Sequence, residues 1–158
     1  MKLLFKQRFF SWLDSYDIYN EQGETVYTVE GKLSFGHRLE ILDAAGRSVG
    51  TVKEEVFTFL PRFRMYRGGD YIGEIQKKFT FFKPVFTLSC NGWQVEGDIL
   101  EWDYDVRDSG GGLIAHLSKE LLHLTDTYVL DIADPQHALL VLMIALSIDA
   151  AKCSSNSE

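Results

Sequence analysis

The chain has 158 residues, 46% of them hydrophobic and 25% charged, with a formal net charge of −7 and a mean hydropathy of −0.09. That length suits one domain able to bury roughly 70% of its unfolded surface, and 3 tryptophans, 7 tyrosines and 11 phenylalanines exclude a disordered body. Three prolines and 13 glycines exclude collagen-like or low-complexity architecture, two cysteines exclude a disulfide scaffold or a zinc cage, and the acidic balance predicts no bulk attraction to nucleic acid.

The first apolar run, residues 3–9, reads as a strand. Lys6 and Arg8 interrupt it too early for a signal peptide, so the cytoplasm is the expected address, with Cys90 and Cys153 as free thiols. Glycines then set a rhythm. Gly23, Gly46, Gly69 and Gly92 recur every 23 residues, and Gly111 follows after 19. Short quartets with apolar ends lie behind them: VYTV at 26–29, VGTV at 49–52, IGEI at 72–75 and IAHL at 114–117. The copy after Gly92 carries one extra residue within 95–99, which predicts a β-bulge or a slipped register. Apolar runs at 16–19, 39–42, 63–66 and 86–90 precede the first four turns, and 103–107, 113–117 and 128–132 complete about a dozen strands. A sheet of that many strands curls or closes to remove its edges.

Residues 138–148 read ALLVLMIALSI, a helix with no polar face. Asp134 is placed to cap it, Pro135 suits its first position, and Lys152 in the last turn can meet Asp149. A helix apolar all round must be buried all round. Eleven residues cover about 16 Å, roughly half the ~30 Å hydrocarbon core of a bilayer, so the expected place is inside a closed barrel. Residues 1–152 form the expected single domain, and 153–158 an unordered tail.

The order of these parts resembles the LURP-one-related family, most closely its bacterial members. The likeness is carried by residues 1–10 (MKLLFKQRFF), 16–31, 57–82 (FTFLPRFRMYRGGDYIGEIQKKFTFF) and the helix at 134–149. It implies a Tubby C-terminal-like fold, shared with phospholipid scramblases. That fold is mainly β, a closed barrel of about 12 mostly antiparallel strands around one central apolar C-terminal helix. For function the resemblance implies little. Tubby-like domains bind phosphoinositides through basic side chains and scramblases move lipids. This chain has neither the cysteine cluster nor the EF-hand loop of the latter, and no residue-by-residue match to the Tubby phosphoinositide site.

No catalytic, cofactor or metal residue is assigned. His37, His116, His123 and His137 lack ligand spacing, and Cys90 reads as an inert packing residue in an apolar strand. Glu96, Asp98, Glu101, Asp103, Asp105 and Asp108 read as a solvated strand face, and residues 109–112 as a turn rather than a phosphate loop. Two features remain. Glu54 and Lys77 both fall at core-facing parity, which predicts either a bulge that turns them outward or an ion pair at the barrel interior or rim. Residues 61–83 carry a net +4, leaving −11 elsewhere, so Arg62, Arg64, Arg67, Lys78 and Lys83 are the candidate anionic-surface residues. The expectation is a non-enzymatic cytoplasmic binding module, peripheral at a membrane through anionic lipid or phosphoinositide head groups, or a scaffold for a protein partner. The alternative is a scramblase-like lipid handler whose C-terminal helix enters the membrane.

Overall fold

The glycine rhythm becomes a series of hairpins, and at Gly23, Gly46 and Gly111 the turn is built by an Asn or Asp three residues before the glycine. In the computed structural model, which describes residues 1–6, 15–32, 34–122 and 125–155, Asn20 Oδ1 accepts the amides of Gln22 and Glu24 at 3.0 and 2.9 Å. Asp43 Oδ1 accepts those of Ala45 and Arg47, and Asp108 Oδ1 those of Gly110 and Gly112, at 2.8–3.0 Å. The glycine that follows must be left-handed: φ is +81° at Gly23, +79° at Gly46 and +88° at Gly111. Register shifts at Ile18/Tyr19, Ile41/Leu42 and Val106/Arg107 lie just ahead of these turns, and another lies at Met65/Tyr66. Bulges of this kind sharpen twist and help a sheet close.

Among the described residues the strands are β1 (Lys2–Phe5), β2 (Ser15–Tyr19), β3 (Thr25–Lys32), β4 (Arg38–Asp43), β5 (Ser48–Glu54) and β6 (Arg62–Arg67), then β7 (Asp70–Lys78), β8 (Val85–Leu88), β9 (Gln94–Asp98), β10 (Asp103–Arg107), β11 (Leu113–Leu122) and β12 (Thr125–Ile132). Each pairs antiparallel with its sequence neighbour, and β1 pairs with β12 from Lys2↔Asp131 to Phe5↔Tyr128, closing the barrel. Residues 7–9 of the run expected as the first strand lie outside the described residues.

Two local expectations are corrected. The bulge or slipped register predicted within 95–99 is absent: β9 pairs with β10 from Gln94↔Arg107 to Asp98↔Asp103 without a shift. Gly97 (φ +126°) instead lets the backbones meet, since a Cβ there would stand 2.9 Å from Tyr104 Cα, and the 3-10 turn Ile99–Glu101 follows. Cys90 lies beyond the end of β8, exposed in the turn rather than packed in the strand. Its Sγ is nonetheless covered enough for desolvation to push the thiol pKa up, the opposite of what a nucleophile needs.

Alternation then fills the barrel. Leu3, Ile18, Ile41, Met65, Ile75 and Leu117 point inward at 0% exposure. The helix α1 (Ala138–Ser155) follows a 3-10 turn, Pro135–His137, capped by Asp134, which accepts the Gln136 amide at 3.1 Å. Val141, Leu142, Met143 and Ile144 are wholly buried, and Ser147 is satisfied by donating to the Met143 carbonyl at 2.8 Å. Gly50 lies where β5 passes the helix: a Cβ there would stand 2.8 Å from Met143 Cε, so the end of the Met143 side chain would have to move aside. The helix runs past Lys152 to Ser155. No helix among the described residues is long and apolar enough to cross a membrane.

Candidate functional site

In an up-and-down barrel, successive connections alternate between the two ends. The Asx-glycine turns therefore gather at one end, with the start of α1. The connections at 34–37, 55–61, 79–84 and 99–102 gather at the other, the open rim, where Ala151 and Lys152 of α1 emerge.

The five basic candidates do not form one patch. Arg62 lies at the rim, donating through Nη2 to Gln76 Oε1 at 3.0 Å, with its Nε 3.8 Å from Glu74. Arg64 is paired with Glu55. Arg67 stands at the opposite end of β6, beside Asp70, five residues or about 17 Å from Arg62. Lys78 and Lys83 are exposed at the rim, at either end of the connection 79–82. Sequence proximity misled here because β6 spans the barrel wall from rim to turn end.

Glu54 and Lys77 keep their inward parity and both line a rim cavity of about 470 Å³, together with Phe57, Phe59, Pro61 and Ala151. They do not pair. The Glu54 carboxylate is taken by His37 Nδ1 and the His37 amide, delivered by the connection between β3 and β4. Lys77, half-buried, holds no ion pair among the described residues and also lines a neighbouring cavity of about 300 Å³ with Arg62, Gln76 and Lys78. Nearby, Lys152 Nζ donates to the carbonyls of Ile99 and Leu100 at 3.0 and 3.1 Å and stands 5.1 Å over the Trp102 ring.

The sequence reading passed over the largest feature of this rim. Phe57, Phe59, Phe81 and Phe82 are 93%, 92%, 86% and 97% exposed, and Phe35 and Phe79 are exposed beside them. The rings touch across and within connections: Phe35 meets Phe57 at 5.9 Å, and Phe79 meets Phe81 at 5.4 Å. Two Phe-Thr-Phe triplets, at 57–59 and 79–81, each just beyond an inward-facing charge, were the signal available in the sequence.

The remaining chemistry is structural. His116 bridges Asp105 (2.7 Å) and Asp103 (3.3 Å) on the outer face of β10 and β11, and His137 stacks edge-on against Trp93 at 4.9 Å. His123 lies outside the described residues. Among the described residues no group of three or more His, Cys, Asp or Glu is placed to hold a metal.

A closed antiparallel twelve-stranded barrel threaded by its own C-terminal helix is the Tubby C-terminal-like fold. The chain belongs to the LURP-one-related family, whose model matches residues 1–149. It is 30% identical over 159 residues to "Uncharacterized protein YxjI" of Bacillus subtilis (strain 168), covering 100% of this chain and 98% of that one. It is also similar in fold to the X-ray structure of a protein from Arabidopsis thaliana, with a TM-score of 0.64 at 16% identity, over 94% of this chain and 90% of that one.

Proposed function

We propose that this chain is a non-enzymatic binding module that docks on anionic lipid head groups at a membrane surface. It does so through the arc of the open rim formed by β6, β7 and β8. The observation that carries this reading is the gathering of Lys77, Lys78 and Lys83, none of them in an ion pair among the described residues, with Arg62 at one edge of a chain that is otherwise acidic. Each basic residue near an anionic leaflet contributes about 1 kcal/mol, and screening falls off over ~8 Å at physiological salt, so only a compact cluster of this kind acts together. The cytoplasm, with its anionic leaflet, is the matching address. Scramblase-like insertion of α1 gains nothing from the geometry, because that helix is already spent as the barrel core.

Co-sedimentation with phosphatidylserine-containing and purely phosphatidylcholine vesicles, at low and physiological salt, tests the reading. Binding should require the anionic lipid and weaken with salt. Lys78→Gln with Lys83→Gln should weaken it at least tenfold, the ratio that 1.4 kcal/mol represents, while Arg67→Gln at the far end should leave it unchanged. Equal losses from both variants, or no binding at low salt, would refute the proposal.

A further inference from the structure

We infer that the phenylalanines of the open rim insert below the head groups, so that the barrel is anchored by aromatic side chains as well as held by charge. This rests on the membrane-surface reading above and adds a second, apolar contact to it. Three observations carry it. First, Phe57, Phe59, Phe81 and Phe82 are almost fully in water although the barrel core is already filled by α1, so they are not core residues left unpacked. Second, Phe57 adopts φ +61°, a left-handed conformation that a bulky residue rarely accepts, in the connection that presents its ring to solvent. Third, residues 77–83 read KKFTFFK, and Thr80 Oγ1 donates to the Lys83 carbonyl at 2.8 Å. That bond folds the segment into a turn carrying Phe81 and Phe82, flanked by cations.

Aromatic rings at the depth of the head-group boundary, with lysines reaching back to the phosphates, are the chemistry of an interfacial anchor. A protein partner fits less well. Among the described residues the closed barrel offers no free sheet edge for strand addition, and although Phe57, Phe59 and Phe79 border the rim cavities, Phe81 and Phe82 stand outside them, almost fully exposed. Charge complementarity selects an anionic bilayer among apolar occupants: Lys77 and Lys78 line a cavity with Phe59 and Phe79, Lys83 follows Phe82 directly in the chain, and the nearby Glu54 and Glu55 are paired with His37 and Arg64.

The test uses the whole chain with vesicles of phosphatidylcholine and phosphatidylserine, and two variants. In the first, Phe57, Phe59, Phe81 and Phe82 all become serine; because all four are exposed, its thermal melt should match the parent. Its vesicle affinity should fall at least a hundredfold, and the fraction that stays bound at high salt should vanish. In the second, Phe81→Trp, emission from the introduced indole should shift to the blue on binding and be quenched by lipids brominated on their acyl chains. Parental affinity in the serine variant, or bound Phe81→Trp protein whose added emission brominated chains fail to quench, overturns insertion while leaving head-group docking standing. Absence of vesicle binding at low salt, or a dimer that buries these rings in its place, overturns both.

Discussion

Asp149 lies near the C-terminal end of α1, largely enclosed at the rim end of the barrel with Tyr16, Tyr104 and Lys152 close enough to interact electrostatically. Burial pushes its carboxyl pKa up to about 6, and the Lys152 charge pulls only part of the way back. The same burial drives the Tyr104 phenol well above its ordinary range, and that hydroxyl has no hydrogen-bond partner among the described residues. Since the folded-state pKa of Asp149 is raised, its contribution to stability is fully present below the unfolded value near 4 and is lost as pH rises through about 6. Two pKa units correspond to about 3 kcal/mol. Thermal melts should therefore show the parent losing stability between pH 4 and 7.5, after other titrations are subtracted by comparison with Asp149→Asn. That variant should melt about 4–10 °C higher at pH 7.5 and show a flatter profile. An unchanged profile would mean that the carboxylate is solvated in the folded state.

The helix and the turns were the parts that the residues declared most openly. ALLVLMIALSI has no polar face, and burial on every side of α1 is the consequence. Leu142→Asp should leave little folded protein, because an unpaired carboxylate in that core costs a large fraction of a total stability of about 5–15 kcal/mol; circular dichroism or expression in the soluble fraction would show it. Gly50→Leu is the milder counterpart. It forces side chain against Met143 and Leu139 and should cost about 1–3 kcal/mol in denaturant unfolding, whereas a cost near zero would mean that α1 can shift away from β5. Asp108→Ala removes the one oxygen that accepts both amides of its turn and should lower the melting temperature by a few degrees without altering the fold. What the sequence concealed was where strands stop. Strand parity continued past Lys77 would place Phe79 in the core, but β7 ends at Lys78, so Phe79 joins the exposed cluster. Glu54 likewise faced inward as its parity required, yet its partner came from His37 on a connection that no local pattern could aim.

The molecule as a whole has two unlike ends. Glu21, Glu24, Asp43, Asp70, Asp108, Asp131 and Asp134 collect at the turn end, against Lys2, Arg47, Arg67 and Arg107. The opposite rim, over its β6 to β8 arc, presents cations and exposed rings. The +4 segment was legible in the sequence as a count, but its division between the two ends follows from the length of β6, which carries Arg67 away from Arg62. The aromatic cluster depends on three connections meeting around a closed rim, a property of the barrel rather than of any one stretch of chain. Polarity of this kind orients a barrel on a charged surface, with the acidic end turned away. Hydrogen exchange of the protein free and bound to phosphatidylserine-containing vesicles reads that orientation directly. Binding should slow exchange in residues 55–61 and 79–84 and leave the turns at 20–23, 43–46 and 108–111 as they are in the free protein. Protection at those turns, or on the barrel wall with the rim unchanged, would contradict the assignment of the open rim as the working end.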